Sequence, residues 1–154
     1  MKASELLEEI KDNIKDYNID YLKNKAVDER YNDPLVRELA RYNSEIYDEI
    51  FDKEISEDFE IESSKIQKLK NDIDYYFGKY NPHDEENQKL TKYISLYLAF
   101  IALKPLHPYG ESKDSNVFLK NNVFYCKGRA NYIKDKNSLC NYCCCKNMPF
   151  NLMF

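Results

Sequence analysis

Apolar side chains return every three or four positions through most of the first hundred residues, and little interrupts them. Leu6, Leu7, Ile10, Ile14, Tyr17 and Tyr21 make one stripe. Val36, Leu39, Ile46 and Ile50 make a second, with Tyr47 beside it and Asn43 as a polar gap. Ile66, Leu69, Ile73, Tyr76, Phe77 and Tyr80 make a third, and Leu90, Tyr93, Ile94, Tyr97, Leu98 and Ile101 a fourth. This period belongs to helices that turn one face to a core. With only 3 Gly and 5 Pro in 154 residues, the chain lacks the turn formers that an all-β fold needs. The fold class expected is mainly α: a bundle of about four or five helices carrying a small C-terminal β-hairpin and a Cys-rich metal-binding appendage.

The start signals differ in strength. Ser4 is a candidate cap for a helix from about Ser4 to Lys23. Asp33 can accept from free amides while Pro34 fits the first helical position, so the second helix is firmly started. The third is expected over about Ser64 to Tyr80, ended by "GKYNPHDEE". The fourth, about Asp84 to Leu103, is the most apolar and therefore belongs at the centre of the bundle. The acidic stretch "DKEISEDFEIESS" reads as a loop.

The pattern changes at "KPLHPYG". Residues 1–103 carry 15 Lys+Arg and 24 Asp+Glu, net −9, whereas residues 104–154 carry 8 and 3, net +5. We therefore expect one domain, 1–154, with a helical body (1–103) and a Cys/His-rich tail (104–154) packed on it. In the tail, "NVFLKNNVFYC" places β-branched and aromatic residues on either side of Lys120-Asn121-Asn122. Because Asn tolerates positive φ, this reads as a hairpin. Ser138 is a candidate cap for a last short helix.

Composition bounds the setting. Hydrophobic residues at 43% beside charged residues at 32% fit a soluble globular chain, not a disordered one. Acidic residues occupy the N-terminus where a secretory signal would be apolar. The most apolar run, "YISLYLAFIAL", is about half the length of a membrane helix. The expected location is cytoplasmic, with no membrane association. Thiols stay reduced there, so clustered cysteines read as metal ligands or redox groups before disulfides.

All five cysteines lie in the tail, at Cys126, Cys140, Cys143, Cys144 and Cys145. Cys140 and Cys143 form a C-x-x-C pair, which can bring two thiolates to one ion from a single turn. Cys126 supplies a third sulfur and His107, in the turn-forming "LHPYG", a fourth ligand. The candidate metal set is thus His107, Cys126, Cys140 and Cys143, a Cys3His site. Cys144 and Cys145 are rivals for the fourth place: Cys144 shares a face with Cys140 if the segment is helical, and Cys145 then points elsewhere. Thiolates favour Zn2+, or alternatively an iron–sulfur cluster. The competing readings are simply buried thiols and a thiol–disulfide redox role.

"LHPYG", "VFYCK" and "LCNYC", in that order, resemble an archaeal, largely methanogen-restricted family of uncharacterised conserved proteins with a helical N-terminal part and a Cys/His-containing tail. The likeness covers the last third of the chain by motif and the rest by helical character. It implies that His107, Cys126, Cys140 and Cys143 are the shared positions and that Cys144 and Cys145 are additions of this chain. It also implies a methanogenic source. Methanogens are rich in iron–sulfur proteins, so the resemblance favours the cluster alternative; it implies no mechanism.

Other chemistry is not indicated. There is no phosphate-binding glycine loop of either standard kind and no G-x-S-x-G elbow. Carboxylate pairs such as those in "LLEEI" and "HDEEN" read as solvated faces, and His83 as a solvated loop residue. The tail mixes Lys113, Lys120, Lys127, Arg129, Lys134, Lys136 and Lys146 with Phe118, Phe124, Tyr125, Tyr132 and Tyr142. That permits weak nucleic-acid binding, against the readings in which the aromatics are the hairpin's own core and the basic tail docks on the acidic body. The expectation that results is a non-catalytic metal-binding protein with a structural zinc that supports an interaction surface for a protein partner. Enzymatic activity requires a coordination position open to water.

Overall fold

The computed structural model describes residues 1–110 and 115–148. Its order is α1 (Ala3–Ile14), α2 (Ile19–Val27), α3 (Pro34–Asp52), α4 (Ser63–Tyr80), α5 (Glu85–Leu96) running into a π-helical turn (Tyr97–Ala102), β1 (Val117–Lys120), β2 (Val123–Cys126), α6 (Arg129–Tyr132), a 3-10 turn (Leu139–Asn141) and β3 (Lys146–Asn147). The chain is mostly helical with a small three-stranded C-terminal sheet.

The core sits between α1, α3, α4 and α5. Leu6, Ile10 and Ile14 meet Ile46, Ile50, Leu69, Ile73, Leu90, Ile94 and Leu98, all buried. Removing one such side chain from water is worth roughly 1.5–3 kcal/mol, so these few positions dominate the stability of the body. The segment from Leu90 to Leu98 supplies Leu90, Ile94, Leu96, Tyr97 and Leu98 to that interior, as its high apolar content implies.

Asp33 caps α3 as its position predicts, accepting from the Leu35 amide at 2.9 Å with Pro34 in the first turn. The expected first helix is two helices. α1 ends at Ile14, and Lys15-Asp16-Tyr17-Asn18 turns the chain before α2, with the Tyr17 amide donating to the Ile14 carbonyl at 3.0 Å. Asp and Asn compete with helical hydrogen bonds through their own side chains, and Tyr47 Oη donates to the same carbonyl at 3.3 Å. The first turn of α1 holds Ser4, not its cap; Ser4 Oγ hydrogen-bonds Asp58 in the acidic loop. At the far end, α5 does not stay α-helical to Leu103. It loosens into the π turn and stops at Leu103, whose φ of 52° is left-handed, two residues before Pro105.

The hairpin forms as read. Val117 pairs with Cys126 and Lys120 with Val123 in antiparallel register. Asn121 and Asn122 take φ of 52° and 63°, the conformations a tight primed turn requires. The sequence contained no signal for the third strand: β3 adds in parallel beside β2, with Tyr125 opposite Lys146 and Cys126 opposite Asn147. Gly110 bridges to Phe118, so the "LHPYG" segment runs along the other edge.

Side-chain hydrogen bonds tie the described tail residues to the body. Tyr42 Oη on α3 donates to the Pro105 carbonyl at 2.6 Å. Glu49 on α3 accepts from Tyr97 Oη at 2.6 Å and from Lys104 Nζ at 2.5 Å. On α4, Asp72 accepts from Tyr142 Oη at 2.5 Å and from Lys68 Nζ at 3.0 Å, while Lys68 also donates to the Lys136 carbonyl at 3.1 Å. Leu106, Leu139 and Tyr142 pack against the edge of the main core.

Candidate metal centre

The 3-10 turn that follows Ser138 sets the register of the cysteines. Ser138 Oγ accepts from the Cys140 amide at 3.2 Å, and the helical segment ends at Asn141. The chain is therefore no longer helical at Cys143 and Cys144, and by Lys146 it is extended. As a result Cys143, Cys144 and Cys145 turn their sulfurs to one point, all within 4.8 Å of one another. Three thiolates on one tetrahedral Zn2+, at about 2.3 Å each, stand about 3.8 Å apart, so a small contraction brings this set to ligand distance. Cys145 is buried, and Cys143 and Cys144 are half-buried.

The electrostatics favour one negative sulfur at the centre. The Cys144 and Cys145 thiols donate to Cys143 Sγ and outweigh the effect of burial; the backbone amides of Cys145 and Leu106 add to them. Together they hold the Cys143 thiol far below its ordinary value. Hydrogen bonding to that thiolate drives the other two upward, Cys145 most strongly, with burial adding to the effect. Three sulfurs this close share protons, and a soft cation can replace them. All five cysteines are free thiols.

The sequence-derived ligands are arranged around this triad. His107, Cys126, Cys140, Cys143 and Cys145 all line one cleft of about 990 Å3 between the tail and helices α2 to α5. In the parallel register of β2 with β3, Cys126 stands opposite Asn147, two residues after Cys145. Leu106, next to His107, contacts Cys143 through its amide. His107 itself is exposed. Among the described residues, the group of three or more ligating atoms that lies within 4.8 Å is the 143–145 triad, and His107, Cys126 and Cys140 are outside it. The reading that Cys145 points elsewhere assumed helix through this segment, and the end of the 3-10 turn at Asn141 removes that assumption.

One functional element had no local signal. Tyr142, between Cys140 and Cys143, is held by Asp72, whose side chain is only 8% exposed. A carboxylate beside Leu69 and Ile73 on the inward face of α4 was the sole hint, since a buried charge requires a partner. The aromatics proposed for base stacking are mostly engaged: Phe118 is fully buried, Tyr125 packs on it at 5.6 Å, and Phe124 meets Tyr109 at 4.9 Å, whereas Tyr132 is exposed. Lys113 lies outside the described residues. Among the described residues, no helix is long and apolar enough to cross a membrane.

Comparison with known proteins agrees with the resemblance to an archaeal family. The chain is 33% identical to the UPF0305 protein MJ0646 of Methanocaldococcus jannaschii, over 96% of this chain and 98% of the relative. It is 28% identical to the UPF0305 protein MmarC5_0909 of Methanococcus maripaludis strain C5, with the same coverage. A UPF0305 protein of Methanothermobacter thermautotrophicus is 30% identical over 49% of each chain. No solved structure matches. The family profile described as "Uncharacterized protein conserved in archaea (DUF2115)" matches residues 2–148, and the chain belongs to that family.

Proposed function

We propose that this chain is a metal-binding protein whose tail thiols hold one structural Zn2+, and that the ion fixes an interaction surface formed by the tail and the helices beneath it. The observation that carries the reading is the convergence of the Cys143, Cys144 and Cys145 sulfurs within 4.8 Å of one another. Three sulfurs leave one tetrahedral position. We assign it to the cleft wall that carries His107, Cys126 and Cys140; a thiol or imidazole there closes the site, as structural zinc requires. The original set of His107, Cys126, Cys140 and Cys143 stays within this proposal, sharing Cys143 with the triad. Free thiols are consistent with a reducing compartment, the cytoplasm. The role is non-catalytic, and the partner we expect is another protein.

An iron–sulfur cluster is the second reading, and one observation favours it. Five cysteines gather at one end of the molecule, which is more sulfur than a single zinc needs. Anaerobic purification followed by metal and sulfide analysis separates the two. One zinc per chain and a colourless protein support the staple, and brown protein containing iron and acid-labile sulfide supports the cluster. Cobalt substitution then counts thiolates through its sulfur-to-cobalt charge-transfer band, which Cys143→Ser, Cys144→Ser and Cys145→Ser should each diminish. Protein that takes up no metal under any of these conditions would overturn the proposal.

A further inference from the structure

The cleft that reaches the thiols runs on across the helical body, and its far walls have a chemistry of their own. The body as a whole is strongly acidic, net −9 over residues 1–103. The charged residues lining the cleft reverse that sign: Lys25 on α2, Lys79 on α4 and Arg129 at the start of α6, against a single carboxylate, Asp135. Among the described residues, none of the three cations forms an ion pair with a carboxylate. Lys79 lies over the Tyr75 and Tyr80 rings at 5.9 and 5.3 Å, and Lys25 over Tyr31 at 5.1 Å. Arg129 donates through Nη1 to Asn147 Oδ1 at 2.8 Å, and its buried Nε has no hydrogen-bond partner among the described residues. In a chain with an excess of Asp and Glu, three cations that line one concavity without a carboxylate partner leave a place for an anion.

The aromatic walls point the same way. Helical spacing assigns Tyr76 and Tyr80 to the core, yet they are 52% and 64% exposed and, with Tyr75, line the cleft. Leu39, at 37% exposed, faces the same space. A concavity of about 990 Å3 lies at the upper end of the range typical of small-molecule sites, which combine apolar and aromatic walls with a few placed polar groups.

We propose that this cleft binds a small organic anion built on an aromatic or extended apolar body. The tyrosines and Leu39 hold the body, and Lys25, Lys79 and Arg129 hold the charge. The features that carry this lie on α2, α3, α4 and α6, so it goes beyond the metal reading and does not depend on which ion the thiols hold.

The test uses 8-anilinonaphthalene-1-sulfonate, an anionic aromatic probe, with Nile red as a neutral aromatic control. Wild-type protein should bind one anionic probe per chain with enhanced fluorescence, and the affinity should fall as salt is raised. Lys25→Glu/Lys79→Glu should weaken it by about tenfold or more and leave Nile red unaffected, while Lys25→Arg/Lys79→Arg retains it. Tyr80→Ala, at an exposed position, should weaken both probes. An anionic-probe affinity unmoved by the charge reversal, or the absence of saturable binding to wild type, overturns the proposal.

Discussion

Replacing Tyr142 with Phe removes one oxygen and tests how the tail is attached. The hydroxyl donates to Asp72 at 2.5 Å, and the Asp72 side chain is 8% exposed. A hydrogen bond to an ionised group is worth about 1.5–3 kcal/mol in net stability. The lower part of that range applies here, because Asp72 keeps Lys68 at 3.0 Å after the change. The lysine side chain is 55% exposed and its pair is screened by solvent, so the compensation is partial and the cost does not vanish. We therefore expect Tyr142→Phe to cost about 1.5–2 kcal/mol, which for a chain of this size lowers Tm by roughly 3–8 °C.

A double-mutant cycle localises the effect. Tyr142→Phe, Asp72→Ala and the double variant, followed by thermal and urea denaturation, should return a coupling of about 1–2 kcal/mol between the two positions. Amide exchange should quicken first in residues 139–147 and leave α1 and α5 protected, because the bond joins the tail to α4 and not the core to itself. A loss below about 0.5 kcal/mol with additive single changes would refute the assignment of Tyr142 as the latch.

The remaining expectations concern the other attachments. Burial pushes Glu49 up, but hydrogen bonds from Lys104 and Tyr97 outweigh it and hold the carboxyl below its ordinary value. Its stabilising contribution is then complete above the unfolded value of about 4.3 and is lost as pH falls through the folded one; the stability gap between wild type and Glu49→Gln should accordingly close below about pH 4 in acid denaturation series. At the hairpin turn, Asn122 has φ of 63°, so Asn122→Gly should be neutral or stabilising in Tm measurements, whereas the β-branched Asn122→Val should cost about 1 kcal/mol or more. If the tail metal is structural, a chelator should speed exchange after Pro105 while the far-UV helical signal of the body persists; loss of both together would count against separate roles. Zinc uptake should also release protons, because the Cys144 and Cys145 thiols are raised and must lose theirs; calorimetry in buffers of different ionisation enthalpy would count them through a buffer-dependent binding enthalpy, and a pH series should show the affinity climbing with pH.

Much of the body was legible because its signals are local. Asp33-Pro34 marks the start of α3 within two residues, and Asn121-Asn122 marks the turn the same way. The errors arise where tertiary context decides. Tyr76 and Tyr80 fit the helical stripe, but a tyrosine can keep its ring on an apolar wall and its hydroxyl in water, so periodicity alone does not bury it. Helical spacing makes Cys145 a weaker rival that points away from Cys140, and the short 3-10 turn that ends at Asn141, which changes that direction, has no breaker residue to announce it. β3 is two residues long and gains its identity only from β2. The Asp72–Tyr142 contact spans 70 positions, which no local pattern encodes.

The placement of the thiols follows from what the tail lacks. Among its described residues, only Pro105, Val117, Phe118 and Cys145 are buried, too little apolar surface to offset the ordering of a small sheet and its long crossover. Attachment to the body supplies part of the deficit, through Tyr142 to Asp72 and through Pro105 to Tyr42. A cross-link within the tail would supply another part, and a metal on the clustered thiols would do so without an oxidising compartment. The two devices meet at Leu106. Its neighbour Pro105 is held by α3, while its own amide donates to Cys143. An ion that draws the three sulfurs together therefore pulls against a wall the body already fixes. That same wall, with Pro105 and Leu106, lines the cleft at its thiol end.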